Sequence, residues 1–417
     1  MFHRSSRWVL LSGVVLSMVA VSACATEGGG SVREQVAAAI PTTAIAAAPT
    51  TAVMRGATTA RPTSTHAAKG SRASASASHV SASAAGPAVG VPAAATSGAA
   101  VYGFSAPELL LNQSTQGDDL KAMKAIGVTS VRLEANWYGM QPNGPSDDDW
   151  ASLDQLVASV EAAGLTADLV IDGCPPWAAV AGAQGDDFAQ PASPAQFATF
   201  ARSVAAKYGS QGVKYFEIWN EPNISQFWAP KPDPAAYTAD LVAAYAAIKS
   251  VDPSAVVLSG GLSPATDTST SYDPRTFLTD MYADGAKGSF DGLGDHPYTY
   301  PLSPDDNNAG SAWSQMSQTS PSLRSIMIEN GDSAKKIWIT EYGAPTSGPD
   351  SVGESAQSTD LSQAISEVKQ LSWIGSFYIY TWSDLSSLAD TDNGFGVLAE
   401  NNAQKPAYAA VAAALGA

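Results

Sequence analysis

The sequence predicts a single (β/α)8 barrel over residues 99–417. Eight short β-rich runs alternate there with stretches of helical periodicity. The runs begin 29 to 47 residues apart, enough for one strand, one helix and two loops each. No G-x-G-x-x-G follows the first run, so the alternative, an open doubly wound sheet, loses its main support.

The first run, 101–104, lies where composition changes and aromatic residues and Asp appear. The second is 130–134. A helix is expected over 153–163, because Leu153, Leu156, Val157 and Val160 recur at intervals of three and four, with Gly164 placed to end it. The third run is 166–171. A helix over 194–208 follows, with Ser193 as N-cap and Pro194 at the first helical position. After the fourth run, 213–219, a similar helix covers 234–251. The remaining runs are 255–259, 292–295, 336–340 and 376–380.

Composition limits function before any motif is read. The chain has 417 residues, 45% of them hydrophobic, and a net charge of −17. Seven Lys/Arg and two Asp/Glu fall in residues 1–100, which leaves residues 101–417 at −22. A domain that acidic repels phosphate backbones and anionic lipid, so nucleic acid is excluded as a partner. Cys24 and Cys174 are too few for a disulfide framework or thiolate zinc site.

Residues 1–24 read as an export signal. Arg4 and Arg7 precede an apolar stretch, Val9 to Val21, too short to span a bilayer. Val21-Ser22-Ala23-Cys24 resembles a bacterial lipobox, which implies a lipid anchor on Cys24. The competing reading is cleavage after Ala23-Cys24-Ala25, which leaves a freely secreted protein. Residues 25–98 are mostly Ala, Ser, Thr, Gly, Pro and Val without a single aromatic residue, and cannot bury enough surface to fold. As a flexible tether they would reach about 40–50 Å. The expected location is the extracellular face of a bacterial envelope.

In a parallel barrel, functional groups gather where the C-terminal strand ends meet. The fourth run enters Asn220-Glu221-Pro222-Asn223 and the seventh enters Glu341-Tyr342-Gly343. Strands four and seven face each other across a small barrel, so two carboxylates are expected at one rim. A lone Glu after a strand is usually solvated or salt-bridged; a facing pair in aromatic surroundings suits glycosidic bond cleavage, with one carboxyl as acid and the other attacking or shielding an oxocarbenium-like centre.

Trp219-Asn220-Glu221-Pro222-Asn223 and Ile339-Thr340-Glu341-Tyr342-Gly343 resemble the two signatures of the clan A retaining glycoside hydrolases, closest to family 39 and cellulase-like family 5. The likeness extends to Val131-Arg132-Leu133 with Trp137, to Pro175-Pro176-Trp177-Ala178, to Phe227-Trp228 and to His296-Pro297-Tyr298. It implies Glu221 as general acid/base and Glu341 as nucleophile, with Asn220 on the sugar 2-hydroxyl. Arg132 would hold Glu341 ionised, which lowers its pKa. His296 and Tyr298 would organise the same carboxylate, and Trp382 would form the floor under the sugar.

Trp137, Trp177 and Trp228 follow strands and are candidate stacking platforms as well as candidate core residues. Trp338, inside the seventh run, is expected in the core. Cys174 is read as packing rather than as a nucleophilic thiol. His3, His66 and His79 lie in the signal and tether, so no zinc site and no cofactor is expected. The expected partner is an oligo- or polysaccharide and the expected state a monomer. A catalytically silent carbohydrate-binding barrel, a transglycosylase and a structural surface protein remain open. So does the substrate, with β-xyloside, β-galactofuranoside and arabinoglycan among the choices.

Overall fold

The computed structural model describes residues 99–111, 113–306, 308–384 and 394–417. The export signal, the Cys24 lipobox and the tether lie outside the described residues.

Eight parallel strands close into a barrel in chain order, with helices between them. They are β1 Val101–Ser105, β2 Ser130–Asn136, β3 Thr166–Asp172, β4 Tyr215–Asn220, β5 Val256–Gly261, β6 Gly292–Asp295, β7 Lys336–Tyr342 and β8 Ile374–Tyr380. β8 closes the ring on β1 in a continuous register from Val101 opposite Ser376 to Ser105 opposite Tyr380. All eight expected runs are strands. The main differences are at the C-terminal ends: β1 to β5 and β7 run one or two residues further than their hydrophobic pattern suggests. The added residues include the polar Ser105, Asn136, Asp172, Asn220 and Glu341 of the rim.

The expected helices occupy Ala151–Ala162, Pro194–Gly209 and Pro234–Val251. Leu153, Leu156, Val157 and Val160 are buried together on the first, and Gly164 just beyond it has φ 72°, a left-handed conformation that glycine adopts without strain. Ser193 occupies the N-cap position with extended backbone, but its side chain makes no capping bond. Asp233 does cap its helix, accepting from the Ala236 N–H at 3.0 Å.

Inside the barrel, bulky rings face missing side chains. A Cβ at Gly292 or Gly375 would lie 2.4 Å from the indole of Trp338, and one at Gly103 would lie 2.4 Å from the ring of Tyr378. The glycines therefore make the room in which β7 and β8 place large interior residues, and Trp338 is core as expected. Above this layer the interior turns polar, with Arg132, Glu217 and Thr340 below the rim.

Candidate active site

β4 ends in an irregular step. Trp219 has φ 72° and Glu221 φ 44°, left-handed conformations that cost non-glycine residues about 1–3 kcal/mol each. A regular strand would send Asn220 and Glu221 to opposite faces. Here Asn220 accepts from Arg132 Nη2 at 2.9 Å and Glu221 meets His296 at 2.9 Å, so consecutive side chains join one network. The Trp219 indole turns away, packing edge-on against Trp228 and Phe197 and donating to the Phe227 carbonyl. Gly260 and Gly261 at the end of β5 permit this step. A Cβ on Gly260 would sit 2.5 Å from the Trp219 carbonyl oxygen, and one on Gly261 would sit 2.1 Å from His296 Nε2.

Arg132, from β2, links the carboxylates from beneath. Its Nη1 donates to Glu341 Oε1 at 2.6 Å and to Ser105 Oγ at 3.1 Å, while Nε donates to Glu217 Oε2 at 2.7 Å. Tyr298 donates its hydroxyl to Glu341 Oε2 at 2.8 Å. Burial alone would raise the Glu341 pKa. The charges of His296 and Arg132 and the hydrogen bonds from Tyr298 and Arg132 outweigh it, so the carboxyl titrates below its ordinary 4.5.

His296, at the end of β6, bridges both halves. Nδ1 lies 2.9 Å from Glu221 Oε1 and 3.7 Å from Glu341 Oε2. The Thr340 hydroxyl donates to Glu217 Oε1 at 3.1 Å and lies at the same distance from His296 Nε2. The ring bears positive charge when both nitrogens carry hydrogen. Burial opposes that charge, but Glu341 and Glu221 raise the imidazole pKa overall. One ligating atom each of Glu221, His296 and Glu341 fall within 4.8 Å of one another.

Arg132, Asn220, Glu221, His296, Tyr298 and Glu341 thus converge, as the sequence placed them. His296 departs in detail: its short contact is with Glu221 rather than Glu341. The tryptophans depart more. Trp137 and Trp228 are fully buried and Trp382 is 1% exposed, so none offers a face to a sugar. Trp137 stacks on Phe200, Trp228 packs edge-on against Trp219 and Tyr237, and Trp382 packs on Phe104 with its Nε1–H on Asp119. The expected floor under Trp382 is therefore corrected. Tyr380, two residues earlier at the end of β8, lines the cleft instead. Trp177 is half-buried, with its Nε1–H on the Gln141 carbonyl, and does not line the cleft. Cys174 is buried and its pKa is pushed up by burial and then by Asp240, which suits packing.

The cleft, of about 360 Å³, also takes in groups the motifs did not flag: Ser105, Glu134 and Asp172. Each ends or nearly ends a strand at the same rim, so the rule that located Glu221 and Glu341 could have found them.

A family model described as cellulase (glycosyl hydrolase family 5) matches residues 92–375. No protein of curated function matches the sequence. Among solved structures, a family 39 glycoside hydrolase from Bacteroides cellulosilyticus is 20% identical with TM-score 0.60, over 77% of this chain and 64% of its own. The chain thus spans somewhat under two thirds of that protein. A monomeric β-xylosidase from Caulobacter crescentus is 18% identical with TM-score 0.57, over 75% and 67%. A family 5, subfamily 18 protein from Streptomyces cattleya, solved with Manβ1-4GlcNAc, is 19% identical with TM-score 0.55, over 76% and 80%. These likenesses share the barrel; the family match, across more than half the chain, shows that the chain belongs to the glycosyl hydrolase family 5 cellulases.

Proposed function

We propose that the protein is a retaining glycoside hydrolase that cleaves β-glycosidic bonds of an extracellular or cell-envelope polysaccharide. The observation that carries this reading is the approach of Glu221 and Glu341, with an oxygen of each inside a 4.8 Å cluster. Retaining chemistry uses carboxyls about 5–5.5 Å apart, whereas inverting chemistry leaves about 6.5–9.5 Å for a water.

In the first step Glu341 attacks the anomeric carbon as the glycosidic bond breaks, and the Glu221 proton passes to the leaving oxygen. In the second, Glu221 takes a proton from water, whose oxygen displaces Glu341 and restores both carboxyls. Arg132 and Tyr298 keep Glu341 ionised for attack. His296, 2.9 Å from Glu221, holds the acid/base in position. Asn220, held by Arg132, is placed for the 2-hydroxyl.

A panel of 2-deoxy-2-fluoro glycosides with peptide mapping tests the reading. A sugar-sized adduct on Glu341 supports it; cleavage with inverted anomeric configuration, followed by NMR, overturns it. The anchor belongs to the same proposal: Cys24 would carry lipid, and Cys24→Ser should move the protein from the membrane fraction to the medium. Wild-type protein already in the medium would leave free secretion instead.

A further inference from the structure

Beside Glu341 and Asn220 in the cleft, β2 and β3 present a second pair of carboxyls that the mechanism does not use. Glu134 and Asp172 line the cleft and are 6% and 2% exposed. Glu134 Oε1 accepts from Asn136 Nδ2 at 2.7 Å, but among the described residues no N–H or hydroxyl reaches Glu134 Oε2 or Asp172 Oδ1, and the two carboxyls face each other. Buried acceptors normally have partners, and a carboxyl pair in a cleft with no partner beyond each other points to a ligand that brings donors.

The pair is built rather than accidental. Asn136 accepts the Gly139 N–H at 2.7 Å and is closely backed by Gly173, where a Cβ would lie 3.0 Å from Asn136 Oδ1. That fixes Asn136, which in turn orients Glu134. Arg132 is the cation of the cleft, and its hydrogens point at Ser105, Glu217, Asn220 and Glu341. Asp187 adds a further negative charge close enough for Glu134 to influence it. Burial first, and then Glu134, drive Asp172 well above the usual carboxylate range, consistent with a proton held between the two while no sugar is bound.

We infer that Glu134 and Asp172 are specificity-determining residues which accept hydrogen bonds from hydroxyl or ammonium groups of the sugar, and that the wall they form excludes uronic acids. The substrate would then be a neutral or amino sugar, since a carboxylate-bearing ring brings like charge to a wall without a free cation. This rests on the glycosidase reading, but it concerns binding and can be tested without turnover.

The full chain, Glu134→Gln, Asp172→Asn and the double variant would be assayed on 4-nitrophenyl β-glucoside, galactoside, xyloside, mannoside, glucosaminide and glucuronide. Binding of the corresponding methyl glycosides would be followed by saturation-transfer NMR. The expected result is kcat/KM for the glucuronide at least about 100-fold below the best other probe. Each single substitution should cost that probe about 10–100-fold, as for loss of a charged hydrogen bond. Preference for the glucosaminide would identify the donor as ammonium, and preference for a neutral glycoside as hydroxyl. Wild-type-like variants, a preferred glucuronide, or no probe bound or cleaved would overturn the inference. Binding of neutral or amino glycosides that the double variant loses, without cleavage by the wild type, would uphold it and sink the hydrolase reading instead. Should a variant fold poorly, the wild-type ranking of the six probes still decides.

Discussion

The two walls of the cleft are built on opposite plans. On the β4–β6–β7 side, Glu341, Glu221 and His296 sit in a closed network in which Arg132, Tyr298 and Thr340 satisfy their neighbours at 2.6–3.1 Å. On the β2–β3 side, Glu134 and Asp172 keep buried oxygens that no N–H or hydroxyl among the described residues reaches. Groups that react gain from partners fixed in advance. Groups that recognise a ligand gain from being left for it, because a buried acceptor that the wrong ligand leaves unpaired penalises that ligand. Under the proposed function, one wall is organised for chemistry and the other for choice.

The comparison can be broken most severely at Glu341. Glu341→Gln keeps the side-chain size and removes the nucleophile, and should lower kcat by about 10⁴-fold or more while leaving the unfolding transition cooperative. Activity within tenfold of wild type would mean that the closed network is structural only. Glu221→Gln should be milder, about 10²–10⁴-fold, and selective. Substrates with poor leaving groups should suffer most, and aryl glycosides with acidic phenols least; a uniform loss across leaving groups would argue against the acid role.

Arg132→Lys sharpens the electrostatic half of the comparison. Glu341 is ionised above its pKa, and that pKa lies below 4.5 because cations and donors favour the charged form. Its labelling by a fluoro-sugar should therefore persist to lower pH than an ordinary carboxylate would allow. A lysine cannot reproduce the fork of donors, so the acid limb of the variant should move to higher pH. An unmoved limb would show that His296 and Tyr298 suffice. The smallest effect on catalysis is expected beneath the cleft. Trp382→Ala removes a buried ring and should cost about 3–5 kcal/mol of stability, read from urea unfolding, with KM little changed at temperatures where the variant stays folded. Tyr380→Ala should do the reverse, raising KM with a smaller loss of stability. If Trp382→Ala were the one to raise KM, the assignment of Tyr380 to the cleft would be wrong.

Much of this molecule is legible before it folds, and the failures share a cause. The strands were found because their interiors are apolar and their helices repeat at three and four residues, which are local properties. Glu221 and Glu341 were found because a strand end is a position in a barrel as well as in a sequence. The tryptophans were misjudged because following a strand does not say which way a side chain turns. Trp219 turns outward through one left-handed residue, and Trp228 packs against it, a decision made by the room at Gly260 and Gly261.

Periodicity, glycine and proline placement and two Glu-bearing motifs thus determined the barrel, its order and the rim where chemistry would sit. Tertiary structure alone decided that Tyr380 rather than Trp382 lines the cleft, that His296 meets Glu221 most closely, and that Glu134 and Asp172 face each other in the cleft. The reason is physical. Secondary structure follows from interactions between residues a few positions apart, whereas orientation, burial and the pairing of charges depend on groups that only barrel closure brings together. Arg132 and Glu341 are 209 positions apart in the chain and 2.6 Å apart in the cleft.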